Sequence, residues 1–406
     1  VFRVGTYKSA VEPFICTEMS DANRAQVQSF VNDIWGNFLT DVSESRKISV
    51  DSLNAFANNY MFFDKAEATI DYGFVDTLVY DNGVRDVLRN HIGGVKVNLV
   101  TPKELASVVV PQTKDNEIAV YYAFGEIVDE KTSGLSAGGA EIVGSKIVED
   151  LDKLMNDDKV KAVVLRINSP GGSAFASEQM WNAIELLKAK KPVVVSMGDY
   201  AASGGYYISC GADSIFADPL TVTGSIGIFG LIPNGHELLT DKLGVNFELV
   251  ATNPQAMFPN LMSPLTTEQY NAMQRMVEDG YDLFTQRVAD GRGLSQDYVK
   301  QIGEGRVWSA EKALEIGLVD RIGTLDAAIK YMAQKLSYGD TPNVVAYPDA
   351  KDSFWTYMAM LENGNAAQLA QKLGLRSQEE AMLMQLRWLI QRPMIQARMA
   401  DMVIKL

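Results

Sequence analysis

Met197-Gly198-Asp199-Tyr200-Ala201-Ala202-Ser203-Gly204-Gly205-Tyr206-Tyr207 follows the apolar run Pro192-Val193-Val194-Val195-Ser196. The run is β-branched and uncharged, the pattern of a strand buried on both faces of a parallel sheet. After the glycines, Tyr206-Tyr207-Ile208-Ser209-Cys210 is apolar enough for a buried helix. Ser203 thus stands at a strand-to-helix turn among small residues, with nothing beside it to fill the space above its hydroxyl. The following amide leaves a helix N-terminus, where anions are favoured. On this stretch alone two readings stay open: an exposed nucleophile, or a Gly/Ala turn kept small by close packing.

Working outward, strands and helices alternate. Ile118 to Phe124 reads as a strand, 131–140 as a Gly/Ser-rich loop, and Glu141 to Met155 as a helix with apolar Ile142, Val143, Ile147, Leu151 and Leu154. Val160 to Ile167 is a second buried strand, running into Asn168-Ser169-Pro170-Gly171-Gly172-Ser173. Ser173 reads as the N-cap of a helix from Ala174 to Lys190. The Ser203 strand covers 193–197, and Ser214-Ile215-Phe216-Ala217 and the Thr/Gly-rich Thr221 to Gly227 follow. The alternation predicts an α/β fold. Gly171-Gly172 and Gly204-Gly205 then end successive parallel strands, on the edge where such sheets bind ligands. Glycine lets the backbone approach a carbonyl and aim amides at it, as an oxyanion hole requires. A Pro-Gly-Gly loop alone is often just a tight turn. Its pairing with Ser-Gly-Gly one strand later is what gives it weight.

Composition narrows the function classes. At 406 residues, 47% apolar and 22% charged, the chain is globular and too long for one ordinary core. A net charge of −14, with no basic block beyond Lys188-Ala189-Lys190-Lys191, argues against nucleic acid as a partner. Cys16 and Cys210 have no metal-ligand or redox spacing and read as buried free thiols. No apolar run is long enough to span a bilayer. Nothing in these residues asks for a metal or another cofactor.

The chain also repeats itself. Val4-Gly5-Thr6 aligns with Val250-Ala251-Thr252, and at the same offset Trp35 falls on Tyr281, Phe38 on Phe284, Val42 on Val288 and Ser49 on Ser295. After a two-residue slip, Ala66, Gly73, Val75 and Asp76 fall on Ala310, Gly317, Val319 and Asp320. The second copy extends upstream to about residue 117, whereas the first has no such region. The expectation is therefore a chain that starts inside its first repeat, without that repeat's N-terminal half. Residues 1–92 are the C-terminal part of repeat one, 93–116 a linker, 117–340 a complete second repeat, and 341–406 a helical tail suited to packing or oligomerisation.

A nucleophilic serine needs a base. Of the two histidines, His236 follows Pro233-Asn234-Gly235 and His91 ends a helix, and neither has a recognisable orienting carboxylate. A lysine serves instead if burial brings its pKa toward neutrality. Lys8, in Val4-Gly5-Thr6-Tyr7-Lys8-Ser9-Ala10-Val11-Glu12-Pro13-Phe14, is the outstanding candidate; its repeat counterpart is Pro254. The plain alternative for a lone lysine is a solvated surface charge.

Asn168 to Ser173, Ala201 to Tyr207 and Val4 to Phe14 together resemble the motifs of the signal peptide peptidase A (protease IV) family in its long, two-repeat form. The resemblance covers essentially the whole chain, duplication included. It implies tandem Clp-protease/crotonase-like repeats and a Ser–Lys dyad whose lysine comes from the first repeat and serine from the second. Carried over by residue, Ser203 matches the nucleophile, Lys8 the general base, Gly172 and Gly204 the oxyanion amides, and Ser225 a hydroxyl that orients the lysine. In the family's short form the lysine follows the serine by about 50 residues; here that place is Pro254, 51 residues after Ser203. The resemblance further implies cleaved signal peptides and similar apolar, extended substrates, a homotetramer, and a bacterial inner-membrane location facing the periplasm through an N-terminal anchor outside this sequence. Met257, Phe258, Leu261 and Met262 are candidates to line a substrate pocket, or equally to pack in a core. The competing functions are an acyl-CoA-handling crotonase-type enzyme and an inactive scaffold of the same fold.

Overall fold

A computed structural model of the chain describes residues 1–101, 104, 116–131, 140–248, 250–253, 255–260, 262–339, 342–348 and 395–399. In chain order the strands are β1 (Phe2–Arg3), β2 (Glu117–Phe124), β3 (Glu126–Val128), β4 (Glu141–Val143), β5 (Val160–Ser169), β6 (Gly171–Ser173) and β7 (Val193–Ala202). Then come β8 (Ser214–Ala217), β9 (Val222–Gly224), β10 (Phe229–Gly230), β11 (Val307–Ser309), β12 (Arg321–Ile322), β13 (Asn343–Tyr347) and β14 (Ile395–Arg398).

The main sheet runs β11-β9-β7-β5-β2-β13, with β8 and β12 branching from β7. Strands β2, β5 and β7 are parallel neighbours. Their side chains alternate between two apolar layers, as the pleat dictates. Val163, Leu165, Val193 and Val195 face a core shared with Ile147, Leu151, Met180, Ile184 and Phe284. Val164, Val194 and Phe216 face a smaller cluster under Ala328 and Met332 of helix Leu325–Lys335. Burial on both faces is why these strands read as unbroken apolar runs. Each such side chain contributes about 1.5–3 kcal/mol. A second sheet, β1-β10-β14-β6-β3-β4, lies along the ends of β5 and β7.

Several elements differ from the sequence expectation. Glu141–Val143 is a strand, and the helix begins only at Gly144 and runs to Asn156. Strand β7 continues past residue 197 to Ala202, pairing with β8 along Val194–Ser196 and with β9 along Tyr200–Ala202. Gly171 and Gly172 form a strand rather than a turn, because β14 and β3 lie on either side of it. The helix after Ser203 is one turn, Gly204–Tyr207, too short for an appreciable dipole. Ser173 does cap helix Ala174–Lys188, its hydroxyl accepting from the Ala176 amide at 3.1 Å. The described parts of 341–406 are strands, β13 and β14, and not helix. Pro254, Leu261 and most of 102–115, 132–139 and 349–394 lie outside the described residues.

The duplication is visible in three dimensions. Helices Asp21–Arg46 and Thr267–Arg292 have 26 residues each and begin at equivalent repeat positions. Ser49 and Ser295 cap the helices that follow, each accepting from the amide three residues on. Arg46 donates to the Gly73 carbonyl and pairs with Asp76; Arg292 does the same with Gly317 and Asp320. Gly73 and Gly317 share a left-handed φ of +80° and +81°. Shared side-chain devices at equivalent positions are hard to reconcile with coincidence.

The chain divides into two compact units, Asn32–Lys114 on one side and Val1–Val31 with Asp115–Leu406 on the other. The division falls inside helix Asp21–Arg46. The segment carrying Lys8 is thus built into the same unit as Ser203, although sequence similarity groups it with the first repeat.

Candidate active site

Ser203 stands between β7 and the one-turn helix, with φ +54° and ψ −115°. A non-glycine residue there stores about 1–3 kcal/mol of strain, tolerated only when the surroundings hold it. They do: its amide donates to the Gly224 carbonyl at 2.8 Å, and its carbonyl accepts from the Tyr207 amide at 2.8 Å. Ser225, next to Gly224, is also left-handed at φ +51°, fixed by its amide donating to the Arg306 carbonyl at 2.6 Å. Two strained serines therefore face one point. Neither is accessible to bulk water: Ser203 is 0% and Ser225 2% exposed.

Lys8 occupies that point and is 1% exposed. Its Nζ lies 2.7 Å from Ser203 Oγ, 3.1 Å from Ser225 Oγ and 3.3 Å from the Ser225 carbonyl. Burial holds its pKa well below the ordinary lysine value. Nζ donates to Ser203 Oγ and to the two Ser225 oxygens; on losing a proton it would keep two N–H donors and gain a lone pair able to accept from a hydroxyl. Ser225 Oγ in turn donates to the Gly305 carbonyl at 3.2 Å, so it is oriented to accept from Lys8.

The Lys8 segment has no long element of its own and is held by backbone pairing. Val4 N donates to the Ile228 carbonyl at 3.2 Å, and Tyr7 N to the Glu304 carbonyl at 3.0 Å. Gln26, buried on helix Asp21–Arg46, completes the clasp. Its Nε2 donates to the Tyr7 carbonyl (3.0 Å) and to Ser9 Oγ (3.2 Å), while its Oε1 accepts from the Val307 amide (3.1 Å). Gly305, at φ +76°, sits so close that a Cβ would stand 2.7 Å from Lys8 Cβ and 2.8 Å from its Cα. Neither Gln26 nor Gly305 stood out in the sequence. A polar residue on a helix and a glycine in a loop carry no signature until their partners are known.

Gly204 follows Ser203 directly, and Gly172 lies in β6. A Cβ on Gly204 would come 3.1 Å from Gly171 Cα, so the two glycine-bearing segments touch. Gly171 itself is left-handed at φ +95°, with Gly204 N only 2.6 Å from where a Cβ would be. The structure therefore brings together Lys8, Ser203, Ser225 and Gly204, with Gly172 one residue beyond the contact. His236 is engaged elsewhere, its Nδ1 2.9 Å from the Met262 carbonyl, and His91 is exposed at the end of helix Val84–His91. Cys210 is buried and pushed up to about 12, whereas Cys16 is exposed, contrary to expectation. A small cavity beside Lys8 is lined by Tyr7, Ser9, Gln26, Ser225, Val307 and Met399. Of the four apolar residues expected to line a pocket or pack in a core, Met257 is exposed, Phe258 packs on the core, and Leu261 lies outside the described residues.

Comparison with known proteins meets this geometry. The model of peptidase family S49 matches residues 1–95 and 185–338, well over half of the chain. The chain belongs to peptidase family S49. The two matched stretches are the two that carry the duplication, and the Clp protease model matches residues 115–218, the β2–β8 region, overlapping the start of the second stretch. The fold is Clp-protease-like, with a tandem arrangement. Protease 4 of Haemophilus influenzae is 40% identical over 352 residues, covering 82% of this chain and 55% of that protein. The chloroplastic serine protease SPPA of Arabidopsis thaliana is 32% identical over 348 residues, covering 82% and 50%. A putative protease of Synechocystis is 36% identical over 205 residues, covering 50% of this chain and 74% of that protein. The chain thus spans about half the length of the first two. Among the described residues, no helix is long and apolar enough to cross a membrane.

Proposed function

We propose that this S49 chain is a serine endopeptidase in which Ser203 is the nucleophile and Lys8 the general base. The observation that carries the reading is the 2.7 Å contact between Lys8 Nζ and Ser203 Oγ in a site closed to water. Ser203 Oγ attacks the scissile carbonyl carbon while neutral Lys8 takes the hydroxyl proton. The Gly204 amide, with that of Gly172, stabilises the tetrahedral oxyanion. Lys8 then gives its proton to the departing amine, the peptide bond breaks, and an acyl ester remains on Ser203. Water attacks the ester, Lys8 takes a proton from it, and returning that proton to Ser203 Oγ closes the cycle. Ser225 does not touch substrate; it holds Lys8 with its lone pair toward Ser203.

Substrates of this reading are cleaved signal peptides and similar apolar, extended peptides. The support is the family relationship, together with the extended strand β14 that lies between β6 and β10 beside the site. Assembly as a homotetramer and work at the periplasmic face of a bacterial inner membrane belong to the same proposal. They rest on the resemblance alone.

The test is turnover of an unstructured apolar peptide, followed by mass spectrometry of the fragments. Ser203→Ala and Lys8→Ala should each lower turnover by about a thousandfold or more while retaining wild-type circular dichroism. Near-wild-type cleavage by either variant overturns the dyad. Tight coenzyme A binding without peptide cleavage would favour the crotonase alternative.

A further inference from the structure

The second sheet contains an element that the catalytic reading does not use. Strand β14 lies between β6 and β10, antiparallel to both, with Gln396 opposite Ser173 and Phe229, Ala397 opposite Gly172, and Arg398 opposite Gly171. The Met399 amide continues the ladder, donating to the Pro170 carbonyl at 2.7 Å. Side chains of adjacent residues point to opposite faces. Met399 lines the cavity beside Lys8, while Arg398 points the other way, its Nη1 3.7 Å from Glu126 Oε1. Both members of that pair are largely covered, at 9% and 12% exposure. The Ala397 carbonyl crowds the glycine pair at the site: it would stand 2.1 Å from a Cβ on Gly171 and 3.0 Å from one on Gly204. A segment of the chain's own C-terminal region thus lies across the backbone that an extended substrate would pair with.

We propose that Glu126 is a specificity-determining residue of this groove, reading a basic side chain immediately before a large apolar one, and that Arg398 of the chain itself fills this subsite. The proposal rests on the peptidase reading for its consequence in turnover, but not for its binding geometry. Glu126 belongs to β3, the neighbour of β6, so its carboxylate is fixed beside the groove by a sheet and not by a loop. A mostly covered carboxylate favours a basic group opposite it over an acidic one, whose like charge it repels at reduced screening by water. The ligand class is an extended peptide of the pattern small–basic–apolar, as in Ala397-Arg398-Met399. While β14 is in place it competes with any such peptide.

A charge exchange in the full chain tests both parts. Arg398→Glu should accelerate amide exchange across 171–173 by about tenfold, since the strand that pairs with β6 is repelled by Glu126. Combining it with Glu126→Arg should restore protection to near the wild-type level. Arg398→Gln, milder for folding, should give a smaller increase that Glu126→Arg does not reverse. Unchanged exchange in Arg398→Glu, or no recovery in the double variant, overturns the proposal. None of these readouts needs Ser203 or Lys8 to be catalytic, so they stand whatever becomes of the dyad. In turnover, a peptide with Arg before Met should be cleaved about tenfold faster than the same peptide with Glu, and Glu126→Arg should invert that order. Equal rates for the two peptides overturn the specificity role.

Discussion

At the scale of single residues, the site depends on one desolvated amine. Lysine in water is protonated at neutral pH, with a pKa of about 10.4. Lys8 is 1% exposed, and burial lowers its value well below that. Peptidase activity should therefore rise with pH along a limb whose midpoint lies below that of free lysine, as Lys8 loses its proton. A pH–rate profile of kcat/KM checks this, and activity appearing only above pH 10 contradicts it. Linkage makes a second prediction. The folded state binds fewer protons at Lys8 than the unfolded chain between its lowered value and about 10.4, so stability rises with pH through that window. Relative to Lys8→Met, wild type should gain stability on going from neutral to alkaline pH, measured by urea unfolding at several pH values. Ser225→Ala removes one of the two acceptors that orient the amine. It should lower kcat about tenfold with little change in KM, and move the midpoint of the pH–rate limb.

At the scale of elements, the parts legible in the sequence are those whose pattern is set by burial. The Val193–Val195 run, the Val160–Ile167 run and the Ser173 cap were readable because an apolar strand between helices and a capping hydroxyl each leave a local mark. What was not legible depends on partners distant in the chain. Gly171-Gly172 reads as a turn, yet it becomes a strand because β14, more than 220 residues later, pairs with it. Gln26 reads as one more polar helix residue, yet it is the clasp on the Lys8 segment. Gln26→Ala should leave the Val307 amide without its acceptor and destabilise the protein by about 1–3 kcal/mol, with a disproportionate loss of activity as Lys8 loses its support. Gly305→Ala is a sharper test at the same scale. The added methyl collides with Lys8 backbone and side chain at a left-handed position, so activity should fall at least a hundredfold even where the variant folds. Calorimetry alongside peptide turnover separates the two effects.

At the scale of the whole molecule, duplication explains how a lysine and a serine 195 residues apart come to share a site. Residues 21–76 and 267–320 keep the same helices, caps and arginine pairs, so both copies are built by the same rules. The segment ahead of the first copy departs from its repeat and packs with the Ser203 unit instead. Sequence similarity could group Lys8 with the first repeat, but only the backbone pairing of Val4 and Tyr7 with Ile228 and Glu304 says which body holds it. The central claim is that this long-range pairing makes Ser203 reactive. The most direct measurement is the rate at which a fluorophosphonate acylates the full chain as a function of pH, with the modified residue located by mass spectrometry. The account predicts a single adduct on Ser203, forming faster as Lys8 deprotonates and nearly abolished in Lys8→Ala. An adduct elsewhere, or one on Ser203 that forms equally fast without Lys8, would contradict it.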